Sequence, residues 1–141
     1  MENKTKNEEL LLNQWQTCVE MANEISHRRD TMNNLFVTIN IALIAMISYV
    51  WSIKTIFVSL IGIVFCIVWI RFIINFKMLN KEKFNVINEL ESHLPVKPFN
   101  NEWNKLQSNK KYTDGTTIEY ILPSTFIIAY IIISIILFVK K

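Results

Sequence analysis

Three long stretches of the chain carry no charged side chain. They cover residues 31–53, 55–70 and 120–139, which is 23, 16 and 20 consecutive positions. A bilayer core about 30 Å thick is crossed by roughly 20 apolar residues in a helix. The pattern therefore predicts three transmembrane helices in an all-α integral membrane protein. The first two runs meet at Ser52-Ile53-Lys54. A connection that short makes their helices antiparallel neighbours.

The polar stretches beside these runs also read as helix. Leu11, Trp15, Cys18, Ala22, Ile25 and Arg29 follow a 4, 3, 4, 3, 4 spacing, a heptad seam widened by Leu12 and Val19. Met32, Phe36, Ile39, Leu43, Met46 and Val50 continue the register, and no proline or glycine interrupts residues 1–61. One helix is expected to run from the polar N-terminal segment through the first span. Its polar part would project roughly 40 Å at 1.5 Å per residue. After the second span, Phe72, Phe76, Leu79, Lys83, Val86 and Leu90 repeat the spacing, with Lys83 out of character. That helix is expected to reach about His93, where Pro95 stops it. The two helices together form a long antiparallel hairpin extending beyond the membrane. Their seam leaves more apolar area than one partner helix covers, so burial against further subunits is expected.

The two prolines of Leu94-Pro95-Val96-Lys97-Pro98-Phe99 predict an extended segment. Asn100-Asn101-Glu102-Trp103 is expected to open a turn or short helix anchored by Trp103. Asp114-Gly115 signals a turn, and Thr116 with Glu119 has capping-box spacing for the third helix. Pro123 either sets that helix's first turn or kinks it. The chain thus divides into an amphipathic N-terminal helix (1–33), a two-span hairpin (34–76), a helix extension with its connector (77–118) and a third span (119–141).

Composition agrees. Of 141 residues, 51% are apolar and 19% charged, and mean hydropathy is positive. That excludes an ordinary soluble enzyme, and the length allows one domain at most. The net charge of +3 does not mark a nucleic-acid surface, because the basic residues flank the apolar runs. With alternating spans, 12 basic residues fall on the side of the N-terminus and of the 77–118 segment, and 3 on the other. The positive-inside rule then places the N-terminus in the cytoplasm and the C-terminus outside. Tyr49 and Trp51 would mark the outer interface, Trp69 and Tyr120 the inner one, and Arg71 would snorkel to the headgroups. No signal peptide or lipidation motif is read, so the first run is expected to be an uncleaved anchor. Asn3-Lys4-Thr5 matches a glycosylation acceptor that this topology leaves in the cytoplasm. Cys18 and Cys66 are expected at different depths, as unpaired packing residues.

Candidate chemistry is sparse. Glu24 and His27 have the Glu-x-x-His spacing of di-iron bundles, but such sites need a second copy of the motif, and His93 stands four residues after Glu89. No metal or cofactor is expected. Arg28-Arg29-Asp30 reads as a topology and lipid anchor. Alternatively, Arg28, Arg29, Glu82 and Lys83 form a charge network that fixes subunit register. Asn40, with Thr38 beside it, is the most unusual residue of the spans. It serves either as an interhelical hydrogen-bonding group or as part of a polar pore lining. Ala42, Ala45, Ser59 and Gly62 favour close packing over a wide lumen. Phe99, Trp103, Lys105, Lys110 and Lys111 make the connector the best candidate for a binding surface, with Trp103 equally a packing anchor. No nucleophile–base pair or phosphate loop is present.

Val19-Glu20-Met21-Ala22 through Ile25-Ser26, then Arg28-Arg29, then Thr38-Ile39-Asn40-Ile41-Ala42-Leu43 resemble the N-terminal part of the RipA family of small octameric bacterial membrane proteins. Lys83 through Glu91, followed by Leu94-Pro95-Val96-Lys97-Pro98-Phe99 and Glu102-Trp103, resemble its connector, and Glu119 through Pro123 its last span. The resemblance covers roughly residues 10–139. It implies an octamer in a bacterial cytoplasmic membrane and no enzymatic activity. The expected function is a non-enzymatic homo-oligomer, in contact with lipid and of unspecified protein partner, whose helical cytoplasmic assembly serves as a scaffold or interaction platform. The alternatives are a pore-forming effector and a metal enzyme.

Overall fold

A computed structural model describes residues 2–109, 111–113 and 115–139, with side chains from residue 6 onward, and every regular element among them is helical. Lys4, Lys110, Asp114, Lys140 and Lys141, used above for charge counts, the connector surface or the turn, lie outside the described side chains. Helix α1 runs over Glu2–Val50 and helix α2 over Ile56–Glu91. Helix α3 is Pro98–Ser108, α4 is Gly115–Glu119 and α5 is Ile121–Val139. Three helices are long and apolar enough to cross a membrane.

The turn between α1 and α2 is made without glycine. Trp51 adopts a left-handed φ of 28°, and its N–H bonds to the Ile47 carbonyl at 2.9 Å. That conformation costs an L-residue roughly 1–2 kcal/mol. Ser52 then caps a single 3-10 turn, Ile53–Thr55, by accepting from the Lys54 N–H, while the Thr55 hydroxyl donates to the Ser52 carbonyl at 2.6 Å. The chain reverses within a few residues, and α1 and α2 form the expected antiparallel hairpin.

The helices gather into two compact units, one of residues 1–28 and 76–113 and the other of residues 29–75 and 114–141. In the second unit, α1 buries Phe36, Asn40 and Ile47, α2 buries Ser59, Cys66, Trp69 and Ile73, and α5 buries Pro123, Tyr130 and Leu137. The expected α1 register slips here by one residue. Met46 and Val50 are more than half exposed, whereas Asn40 and Ile47 are fully enclosed. A straight helix has 3.6 residues per turn, so a 3.5-residue seam drifts by about 20° per heptad.

In the first unit α1 buries Ala22 and Ile25 and partly covers Leu11, Trp15 and Cys18. The apolar stripe expected on α2 is not the one buried within the chain. Leu79 and Val86 are 47% and 45% exposed, and the buried residues are Ile87 and Glu91. Selecting the most apolar positions picks a stripe one residue away from the packed one, because the packed stripe contains polar residues: Asn80 is largely covered and Glu91 entirely so.

The connector also departs from expectation. Pro98 is the first residue of α3 instead of a barrier to helix, so Phe99 is helical. Proline suits that position because the first N–H of a helix has no partner to lose. Thr116, expected to cap the third helix, lies buried inside the short α4. The helical path breaks at Tyr120, three residues before Pro123, which falls in the first turn of α5. Proline has no N–H to bond the fourth residue before it, here Glu119.

Candidate functional site

The second unit is held by polar ties rising along one face of α1. Asn40 is at their centre. Its amide donates from Nδ2 to the Phe36 carbonyl at 2.8 Å. Its Oδ1 accepts from the Tyr130 hydroxyl of α5 at 3.0 Å and from the Cys66 thiol of α2 at 3.2 Å. All three side chains are wholly buried. One amide thus joins all three spans, and no polar atom of the triad faces hydrocarbon unpaired, which a bilayer penalises by several kcal/mol. Gly62 completes the site, because a Cβ there would collide with the Tyr130 ring. Its bare backbone is what lets α5 approach α2.

Two further ties lie toward the start of the span. The Trp69 indole donates to Asn33 Oδ1 at 2.8 Å, and its ring stacks on Phe36 at 5.6 Å between centroids, with Phe126 of α5 tilted against it at 6.3 Å. Arg29 Nε donates to Glu119 Oε2 at 2.9 Å, and a second guanidinium nitrogen pairs with Oε1. Two contacts to one carboxylate fix orientation as well as charge. Arg29, Asn33, Phe36 and Asn40 are spaced 4, 3, 4, so one stripe of α1 carries every tie.

The first unit contains a different lock. The buried Glu91 carboxylate accepts the backbone N–H groups of Phe99 at 3.1 Å and Asn100 at 3.2 Å. Lys97, at the N-cap position of α3, makes no side-chain cap. Glu91 supplies the missing acceptor from the end of α2, with its charge favourably placed at a helix N-terminus. Phe99 then inserts between Trp15 of α1 and Phe84 of α2, at centroid distances of 5.8 and 5.7 Å. Phe99 is the connector's anchor. Trp103 is 47% exposed and meets the Tyr112 ring edge-on at 6.3 Å.

The other residues singled out by sequence are scattered. Thr38 donates to the Asn34 carbonyl of its own helix and faces outward, away from Asn40. Arg28 is exposed, while Arg29 takes Glu119 as its partner. Glu82 accepts from the Asn85 amide, and the Lys83 ammonium lies 3.7 Å from the Met21 sulfur. Glu24 and His27 are both exposed, and among the described residues no three His, Cys, Asp or Glu side chains converge as metal ligands do. Sequence reading missed Tyr130 and the pairing of Trp69 with Asn33, and it weighed Glu89 or Glu91 as an ion-pair partner of Arg28-Arg29 instead of Glu91 as the acceptor at the start of α3. The available signals were one tyrosine in an otherwise aliphatic stretch of the third run, and one carboxylate four residues before a proline.

Three apolar helices stitched by a buried amide, with a charged helical unit on the same chain, define a multi-span α-helical membrane protein. The chain belongs to the octameric membrane protein family (8xMP), whose pattern matches residues 12–139 and so spans both units. No curated protein and no solved structure gives a significant match.

Proposed function

We propose that the chain is a non-enzymatic scaffold whose octamer presents a ring of helical units to the cytoplasm as an interaction platform. The observation that carries this reading is the use of the polar groups in the spans. Asn40, Cys66, Tyr130, Asn33 and Trp69 are all engaged in holding helices of one chain together. Side chains so engaged act on architecture, not on a substrate or a hydrated lumen. The orientation with N-terminus inside follows from the twelve-to-three bias of basic residues. Kinship with the RipA family in particular, and with it a bacterial cytoplasmic membrane, belongs to the same reading and is supported by the residues quoted for that resemblance.

The test is reconstitution. Octamers verified by native mass spectrometry are placed in liposomes at high density and ion flux is recorded. Tight vesicles are expected. A sustained conductance that scales with protein would overturn the scaffold reading in favour of a pore. Labelling of an engineered cysteine at Gln107 only from the cytoplasmic side checks the orientation, and labelling from outside would reverse it.

A further inference from the structure

Octameric assembly, which family membership establishes, poses a geometrical question that the single chain answers. All copies in one membrane are oriented alike by the same charge bias. A symmetry axis in the membrane plane would invert half of them, so the closed octamer is cyclic about the membrane normal. Neighbours in such a ring meet through two different surfaces, head to tail. Each chain must therefore carry two unlike, complementary faces.

The first unit carries such a pair. The α1 seam faces α2, and at 100° per residue its neighbours fall on opposite flanks. Gln14, Thr17 and Met21 lie on one flank. There Asn13, Gln14, Thr17, Cys18 and Leu90 line an open groove of about 390 Å³, and Lys83 reaches Met21. Leu79 and Val86 of α2, four residues before Lys83 and Leu90 respectively, stand on this side with their apolar surface exposed. Leu12 lies on the other flank, in an apolar recess with Trp15 and the Leu94–Pro98 loop, from which Val96 projects 64% exposed. The charges nearest the two apolar centres differ. Exposed Glu82 and Glu89 flank Val86 four residues before and three after it, beside the Lys83 that reaches Met21, whereas Lys97 adjoins Val96.

These apolar side chains belong to the charged part of the chain, where lipid cannot cover them, and exposed apolar patches of this kind mark interaction surfaces. We infer that the octamer closes by a head-to-tail contact in which the Leu94–Pro98 loop of one copy seats Val96 in the Thr17–Cys18–Leu90 groove of the next, beside Leu79 and Val86. The Glu82 and Glu89 carboxylates around Val86 attract Lys97 beside Val96, which favours this direction of contact over pairing of either face with itself. The seam residues Ala22 and Ile25 take no part, since they are buried within one chain.

The native Cys18 makes the contact testable. Membranes containing the full chain with Val96→Cys are treated with a copper–phenanthroline oxidant and run on non-reducing gels. The expected result is a ladder from dimer to octamer. Wild type, and Val96→Cys combined with Cys18→Ala, are expected to remain monomeric. No ladder from octamers of normal native mass would overturn the contact, as would wild-type dimers cross-linked through Cys18 alone. Val86→Glu gives a second readout, with an expected loss of at least tenfold in octamer while helical content is unchanged. Undiminished octamer from that variant would also overturn it. If wild type itself forms no octamer by native mass spectrometry, the assembly premise has failed and the contact with it, and that outcome is distinguishable from the others.

Discussion

The Tyr130 hydroxyl donates to Asn40 Oδ1 at 3.0 Å across 90 residues of sequence, and the Cys66 thiol donates to the same oxygen at 3.2 Å. One acceptor on the first span thus serves a donor on each of the other two. Within a bilayer neither donor has water as an alternative.

Asn40→Leu removes that acceptor and is expected to destabilise the folded chain by about 1–2 kcal/mol, in the range of interhelical hydrogen bonds measured in membranes. Tyr130→Phe should cost about 1 kcal/mol or less. Because both changes remove one shared interaction, the double variant should be milder than the sum of the two. Reversible unfolding in mixed detergent micelles measures all three, and strict additivity would deny the coupling.

Gly62→Ala places a methyl group into the Tyr130 ring, which is fully buried and tethered by its hydroxyl. The ring cannot swing aside without breaking the bond to Asn40. The expected cost is roughly 1–3 kcal/mol, typical of overpacking. Combining Gly62→Ala with Tyr130→Leu should recover part of it, read as a rise in the thermal midpoint over Gly62→Ala alone.

The Arg29–Glu119 pair is about one-fifth exposed on both sides, so water screens it only in part. Glu119→Gln is expected to cost about 1–2 kcal/mol, as for a hydrogen bond to a charged group. Arg29→Glu with Glu119→Arg should restore stability relative to either single reversal, since the two side chains face each other. Protease protection of the α4–α5 boundary reports the outcome.

Glu91→Ala leaves the Phe99 and Asn100 N–H groups without an acceptor, and Glu91→Gln keeps one acceptor oxygen without the charge. Hydrogen exchange over residues 97–104 should accelerate strongly in the alanine variant and less in the glutamine variant, with α1 unaffected. Equal exchange in all three proteins would show that α3 is held by Phe99 alone.

Much of this is legible in the sequence. Charge-free runs located the spans, and the short Ser52–Lys54 connection dictated the hairpin. Asn40 stood out because an amide in an apolar run requires a partner. Its partners did not stand out, since a tyrosine and a cysteine among aliphatic residues read as ordinary packing groups. The apolar stripe of α2 differs from its packed stripe for a related reason. Leu79 and Val86 are more apolar than Asn80 and Glu91, but hydrophobicity ranks a residue's preference for leaving water and does not name the surface that receives it.

The sequence by itself therefore determined the class, the number of spans and the hairpin, because the hydrocarbon core imposes length and polarity on a local stretch of chain whatever its neighbours are. Only the tertiary structure decided that Arg29 pairs with Glu119, that Glu91 caps α3, and which of two adjacent stripes on α2 turns inward. Those choices depend on residues far apart in sequence meeting at hydrogen-bond distance, and on a helix period of 3.6 that carries a heptad seam out of register over a span.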